Sequence, residues 1–458
     1  MTPRFIRSKR IGLVAAALAV LLTPALLFAH AKLLRSSPAA NATLATPPTH
    51  LNLWFSERPE VAFSKITLAD SAGTAVSLGA LYATDSMGVA APIIGTLAPG
   101  KYKLAWRTAA ADGHPTNGSF SFTISKQRAD SAAAQAPPPA GAQVQITHST
   151  RSANSLVNPD GKITMSSAMR WVELVAVLTL VGIVTFRLAV LPAARWKAAA
   201  LSDVDDRLRR LANAMFILFI VSTLTRAFTQ ADLLPFEGSR AATMLALVKN
   251  TAWGRGWAIG AAGGIVLLGG LALARRGTAG WITAAVALIA VGLGQTLTGH
   301  SAASSHTALA VAADLAHLLA AGGWLGGLAA LVVAGLPAVK AMAPKAGSDH
   351  GSRLLTAFHG TAVECVTLIV VTALISAWLR LGGFDALWTS RYGITLLLKT
   401  AVVILALVLG WYHSKRVVPA AWTGDVAASF RRSAAAELIL GMIVLAITAV
   451  LVTTPLPR

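Results

Sequence analysis

The stretch Trp171–Leu191, WVELVAVLTLVGIVTFRLAVL, decides the architecture of this chain. It is apolar apart from Glu173 near its start and Arg187 near its end. About 20 such residues, rising 1.5 Å each in a helix, cover the hydrocarbon layer of a bilayer. The reading extends to eight spans, at 168–191, 208–229, 256–274, 280–299, 308–334, 356–379, 391–412 and 434–454. The composition agrees. The chain has 458 residues, of which 55% are hydrophobic and 13% charged, which is a membrane-protein balance.

The formal net charge is +20. In a soluble protein such an excess suggests nucleic acid. Here the cations gather in alternate loops, so no nucleic-acid partner is expected. Arg195, Lys197, Arg207, Arg209 and Arg210 follow the first span, Arg275 and Arg276 the third, Lys340, Lys345 and Arg353 the fifth, and Lys415, Arg416, Arg431 and Arg432 the seventh. The opposite loops are poorer: Arg240, Lys249 and Arg255 in the longest, and none in 300–307. By the positive-inside bias the first set is cytoplasmic. The chain is then expected to be a multi-pass protein of a bacterial inner membrane, with its N-terminal domain and C-terminus outside.

Four regions are expected. Residues 1–29 read as a signal peptide: Arg4, Arg7, Lys9 and Arg10 precede an apolar run, and Leu27-Phe28-Ala29 offers a cleavage site. Residues 30–126 are more polar. Leu51–Phe55, Ser64–Leu68, Lys101–Trp106 and Ser119–Ile124 are β-rich or alternate, with turns such as Ala98-Pro99-Gly100 between them. They predict a small all-β antiparallel sandwich. Residues 127–165, with Ala-Pro-Pro-Pro-Ala-Gly and many polar residues, read as a flexible linker. Residues 166–458 form the all-α membrane domain.

Cleavage after Ala29 makes His30 the first residue. Its α-amine and imidazole both lose protons easily and can chelate one ion. Nitrogen ligands of this kind suit Cu(II) best among divalent first-row metals. For His30 alone, a histidine left there by chance is an equal reading. In the segment Asp112-Gly113-His114 an extended backbone puts Asp112 and His114 on one side. Alone, that triplet also fits a turn aspartate beside a surface histidine. The single cysteine, Cys365, allows no intrachain disulfide and no cysteine-based metal site.

Together, His30-Ala31-Lys32-Leu33, Leu51–Glu57 and the run Trp106-Arg107 … Asp112-Gly113-His114-Pro115 … Gly118–Phe122 resemble the CopC copper-binding domains over essentially all of 30–126. The resemblance implies an Ig-like Greek-key sandwich. It also implies Cu(II) held by the N-terminal amine and imidazole of His30 with Asp112 and His114. Some family members carry a second, methionine-rich Cu(I) site. Met87 is the single methionine between 30 and 126, so no such site is expected. His50 and His148 read as a surface and a linker residue.

In the membrane domain, ionisable residues inside spans are costly and face the bundle interior. The most informative set lies at the outer end of spans four and five: His300, His306, Asp314 and His317. Asp314 and His317 are neighbours on a helix at i, i+3. His306 shares their face if the helix starts early enough. The set can form a copper path descending from outside, and polar helix packing is the competing reading. Glu173 and Arg226 read as interfacial or pore-mouth residues. Glu364 and Cys365 are an inner relay or packing residues, and His359 and His413 lie near cytoplasmic ends.

Gly299-His300-Ser301 … Asp314-Leu315-Ala316-His317 … Gly322–Leu328, Tyr392-Gly393 … Leu398-Lys399 and Glu437 are similar to the CopD copper-resistance membrane family over roughly 166–458. A chain joining the two parts resembles the fused copper-uptake proteins of bacteria. The resemblance implies a non-enzymatic carrier that binds Cu(II) outside and passes copper inward, with Cu(I) a candidate form in the membrane path and periplasmic copper chaperones as candidate partners. The alternatives are a resistance protein that sequesters copper without transport, a copper monooxygenase with an N-terminal histidine, and a b-type haem electron carrier. No Gly-x-x-x-x-Gly-Lys-Ser/Thr loop is present, so direct ATP drive is not expected.

Overall fold

The computed structural model describes residues 33–125 apart from 57, 86 and 110–114, residues 165–299 apart from 197 and 237, residues 307–416 apart from 343 and 382, and residues 424–452. The first of these blocks is a β-sandwich. One sheet holds β1 (Leu33–Ser37), β3 (His50–Phe55), β7 (Gly88–Pro92) and β6 (Tyr82–Ala83) in that order. The other holds β2 (Thr43–Leu44), β9 (Pro115–Ile124), β8 (Gly100–Ala109), β4 (Lys65–Asp70) and β5 (Ala75–Val76). The four stretches read as β-rich fall on β3, β4, β8 and β9.

Alternation explains why. Leu51, Leu53 and Phe55 of β3 are buried while His50 is exposed and Asn52 and Trp54 are half-buried. Across the sandwich they meet Ile66, Leu68, Leu104, Trp106, Phe120 and Phe122. A one-residue slip of β3 would turn three large apolar side chains outward, at about 2 kcal/mol each. Strands β8 and β9 pair along their whole length, from Gly100 opposite Ile124 to Ala109 opposite Pro115. The segment bearing Asp112 and His114 falls in sequence between Ala109 and Pro115, the last pair of this ladder.

The rest is helical, with eight helices long and apolar enough to cross a membrane. They are α1 (Ala168–Ala193), α2 (Leu201–Asp232), α4 (Ala252–Leu273), α5 (Thr278–Leu297), α6 (Thr307–Lys340), α7 (Asp349–Leu381), α8 (Arg391–Tyr412) and α9 (Ala428–Leu451). A shorter helix, α3 (Arg240–Asn250), lies between α2 and α4. The expected count of eight is met, but α2 and α7 begin seven residues earlier than their apolar runs. Hydropathy marks where lipid begins, not where a helix starts. The polar start of α2 is stabilised by ion pairs of Asp203 with Arg207 and Asp205 with Arg187.

Helix α1 is central, packing on α2, α5, α6 and α9. Its crossing with α6 is backbone on backbone, because a Cβ at Gly182 would overlap Gly326. Helices α4 and α5 also meet through small residues, and a Cβ at Gly294 would stand 2.7 Å from the Gly260 Cα. Small residues let membrane helices approach closely enough for dispersion to hold them. The helices also contain π turns at Phe186–Val190, Gly322–Gly326 and Leu331–Gly335. Two of these precede Pro192 and Pro337, which lack the N–H a regular turn needs.

The sandwich touches the helices at one corner. Phe63 and Ala109, both 0% exposed, join a cluster with Ala227, Leu234, Leu247 and Trp253. Phe63 and Phe236 rings stand 5.8 Å apart. The Arg107 guanidinium donates to the Leu233 carbonyl. The connection between α2 and α4 is thus not a plain loop but a turn plus α3, capped by Ser239. An 11-residue helix leaves too weak a period to be seen beside 20-residue apolar runs.

Candidate metal centre

His30, Asp112, His114, His300 and His306 all lie outside the described residues. What the structure describes is how their neighbours are held. At the root of the 110–114 segment, Trp106 packs edge-on against Phe55, with ring centroids 5.1 Å apart. The Glu60 amide donates to the Ala109 carbonyl at 2.9 Å, and the hydroxyls of Ser64 and Thr108 lie 2.6 Å apart. The end of β8 is thereby tied to the 3-10 turn Val61–Phe63. Burial raises the Glu60 carboxyl above the ordinary carboxylate range, while Arg58 and Arg255 pull the other way.

In the membrane domain Asp314 and His317 both face α7. The His317 Nδ1 lies 2.9 Å from the Thr372 hydroxyl oxygen. That oxygen is itself 2.7 Å from the Leu368 carbonyl and 3.1 Å from the Ile369 carbonyl. A carbonyl only accepts, so the hydroxyl proton points there, and its oxygen is left to accept from Nδ1–H. This arrangement favours the imidazole tautomer with a lone pair on Nε2, the form that ligates metals.

Asp314 is placed differently. Its Oδ1 accepts from the Ser376 hydroxyl at 3.0 Å and its Oδ2 from the Arg380 guanidinium. Arg380 also bonds the Tyr392 hydroxyl, and the Lys399 ammonium acts on His317 and Asp314 together. The group holds one carboxylate against two cations. A metal ion entering beside His317 meets that excess unless Arg380 swings away. Among the described residues no three or more His, Cys, Asp and Glu come together to hold a metal ion.

A second polar group sits under the corner where the sandwich rests. Glu173, 0% exposed, accepts from the Arg226 guanidinium and, at 2.8 Å, from the Gln295 amide. Gly299, just before His300, lies beside the Arg170 guanidinium, 3.7 Å from where a Cβ would stand. Glu173 and Arg226 thus form a buried ion pair, not two separate pore-mouth charges. Glu364 and Cys365 point apart: Glu364 is exposed, while the half-buried Cys365 turns its Sγ toward Gly323 in a π turn of α6. Glu437 is buried against Gly410, His359 is half-buried, and the His413 side chain lies outside the described set.

Sequence reasoning missed Thr372, Ser376 and Arg380 as partners. The available signal was their spacing of four, which puts them on one face of α7. The comparisons bear on these same residues. The CopC domain model matches 33–125, and the model of copper resistance protein D matches 352–451. Residues 33–125 belong to the CopC family, and residues 352–451 match the CopD family model.

The CopD match takes in Thr372, Ser376, Arg380, Tyr392, Lys399 and Glu437 but begins after Asp314 and His317. Copper transport protein CutJ of Bacillus subtilis (strain 168) is 25% identical over 451 residues, 94% of this chain and 75% of that protein. Copper resistance protein C of Xanthomonas campestris pv. juglandis is 35% identical over 104 residues, 21% of this chain and 81% of that protein. Among solved structures, CopC from Methylosinus trichosporium OB3b is 28% identical, covering 22% of this chain and 98% of that one, with a TM-score of 0.20.

Proposed function

We propose that this chain is a copper carrier that captures Cu(II) outside the membrane and passes copper inward. In this reading residues 1–29 are removed, and 30–126 form the capturing domain, joined by 127–165 to the membrane domain, 166–458. His30, through its amine and imidazole, Asp112 and His114 hold Cu(II). Two kinds of nitrogen and one carboxylate are the donors Cu(II) prefers. The ion then exchanges onto His300, His306 and His317. No covalent step is needed, so the reading is of a carrier and not an enzyme.

The observation that carries the reading is the joining of the two copper families in one chain that aligns over 94% of its length with a copper transport protein. The His317–Thr372 bond supports it, because it turns a half-buried imidazole into a ready ligand. A second reading, capture without transport, is favoured by the Asp314–Arg380 pair, which occupies the only carboxylate of the path. Expression in a copper-depleted host separates the two. Cellular copper rises under the first reading, whereas under the second it stays at the vector level while copper outside the membrane increases.

A further inference from the structure

The contact between the sandwich and the helices joins parts far apart in the chain. Phe63 is fully buried, yet its cluster is built from Ala109 and four helical-domain residues, with Phe236 beside it, and takes nothing from the sandwich core. A large apolar side chain displayed by a 3-10 turn outside its own domain's core is there for a partner. The partner present is the corner formed by the end of α2, the turn through Phe236, α3 and the start of α4. Polar contacts fix the angle. Arg107 of β8 donates to the Leu233 carbonyl, and Glu60 beside Phe63 feels the charge of Arg255 at the start of α4.

Ala109 is the decisive residue. It is fully buried in this contact and is also the last described residue of β8 before the segment bearing Asp112 and His114. Ala227 of α2, in the same cluster, is next in sequence to Arg226, which pairs with Glu173 and so reaches α5, the helix leading to Gly299. The corner therefore connects the root of the capturing segment to the helix ends that carry the outer histidine loop.

We propose that this corner is a docking seat from which the CopC domain delivers its metal: transfer takes place with Phe63, Ala109 and Arg107 locked against Leu233, Leu234, Phe236 and Trp253. The seat sets the delivery position, which raises the local concentration of donor above what a covalent tether alone supplies. The inference rests on the copper-carrier reading.

The test uses the full-length chain in a Cys365→Ala background with spin labels at Ala72→Cys on the sandwich and Arg391→Cys at the start of α8. Without copper the distance distribution is narrow. Phe63→Ser with Phe236→Ser broadens it, leaves Cu(II) stoichiometry unchanged and lowers copper uptake about tenfold. A short bifunctional crosslink between Phe63→Cys and Phe236→Cys restores uptake. A broad distribution in the unmodified pair overturns the seat. A narrow one, broadened by the double variant with uptake unchanged, overturns its role in delivery. Cells carrying the wild type that take up no copper sink the carrier reading instead, while the distance measurement still reports on the seat.

Discussion

His317 on α6 and Thr372 on α7 share a hydrogen bond of 2.9 Å, and the threonine's own proton is committed to a carbonyl one turn back. The consequence is a fixed tautomer. Thr372→Ser keeps the hydroxyl and is predicted to keep copper uptake within about twofold. Thr372→Val removes it and is predicted to lower uptake about tenfold, the usual cost of losing a partner that orients a ligand. Radiolabelled copper uptake, normalised to protein in the membrane, measures both. Equal uptake in the two variants defeats the assignment.

Asp314 and Arg380 form the membrane domain's partly buried ion pair nearest to His317. Asp314→Ala leaves the guanidinium without its carboxylate. It is predicted to cost about 3 kcal/mol of stability in detergent. Replacing both, Asp314→Ala with Arg380→Ala, costs less than the sum of Asp314→Ala and Arg380→Ala made singly. Thermal unfolding of the purified protein provides the cycle. Additive losses would show that the pair is not coupled.

Glu173 and Arg226 invite a parallel comparison. Glu173→Gln strips charge from a fully buried acceptor that holds Arg226 and Gln295, and a loss of about 3 kcal/mol is expected. The pair Arg207–Asp203, at 33% and 49% side-chain exposure, is a surface pair. Asp203→Asn is expected to cost less than about 1 kcal/mol. Similar losses in the two variants refute the contrast.

Asp85 contributes to the acid sensitivity of the sandwich. Its carboxylate accepts from the Met87 amide at 2.7 Å and from the Trp54 indole at 3.0 Å, and the Met87 bond above all holds it below the ordinary carboxylate range. A carboxyl depressed in the folded state adds stability above its unfolded value, near 4, and loses it as pH falls through the folded value. The wild-type domain is therefore predicted to lose more stability below pH ~4 than the Asp85→Asn variant. Parallel pH profiles would contradict this.

Capture should also weaken in acid, for a different reason. Cu(II) binding by His30, Asp112 and His114 releases protons, so affinity falls as pH drops. One extra residue before His30 moves the amine away, and His114→Ala removes an imidazole. Each is predicted to lower Cu(II) affinity at least about tenfold in a competition titration. Unchanged affinity in both variants sinks the ligand set.

Short-range physics was the readable part of the sequence. Leu51, Leu53 and Phe55 announce their strand because burial alternates with the pleat. The spans announce themselves because 20 apolar residues have few other uses. Helix ends were less readable, since Asp203 and Asp205 continue α2 past its lipid-facing part. The unreadable part consists of long-range pairs. Asp314 and Arg380 are 66 residues apart, and nothing local says that an arginine on α7 will claim the carboxylate on α6. Phe63 and Phe236 meet across two domains, and each alone reads as an ordinary turn phenylalanine.

In the proposed reading, copper captured outside passes through the membrane by way of His317. Uptake of radiolabelled copper into cells carrying wild type or His317→Ala, each with the CopC domain intact, tests it most directly. His317→Ala is predicted to fall to the vector level while Cu(II) binding by the protein is retained. Uptake equal to wild type in that variant would contradict it.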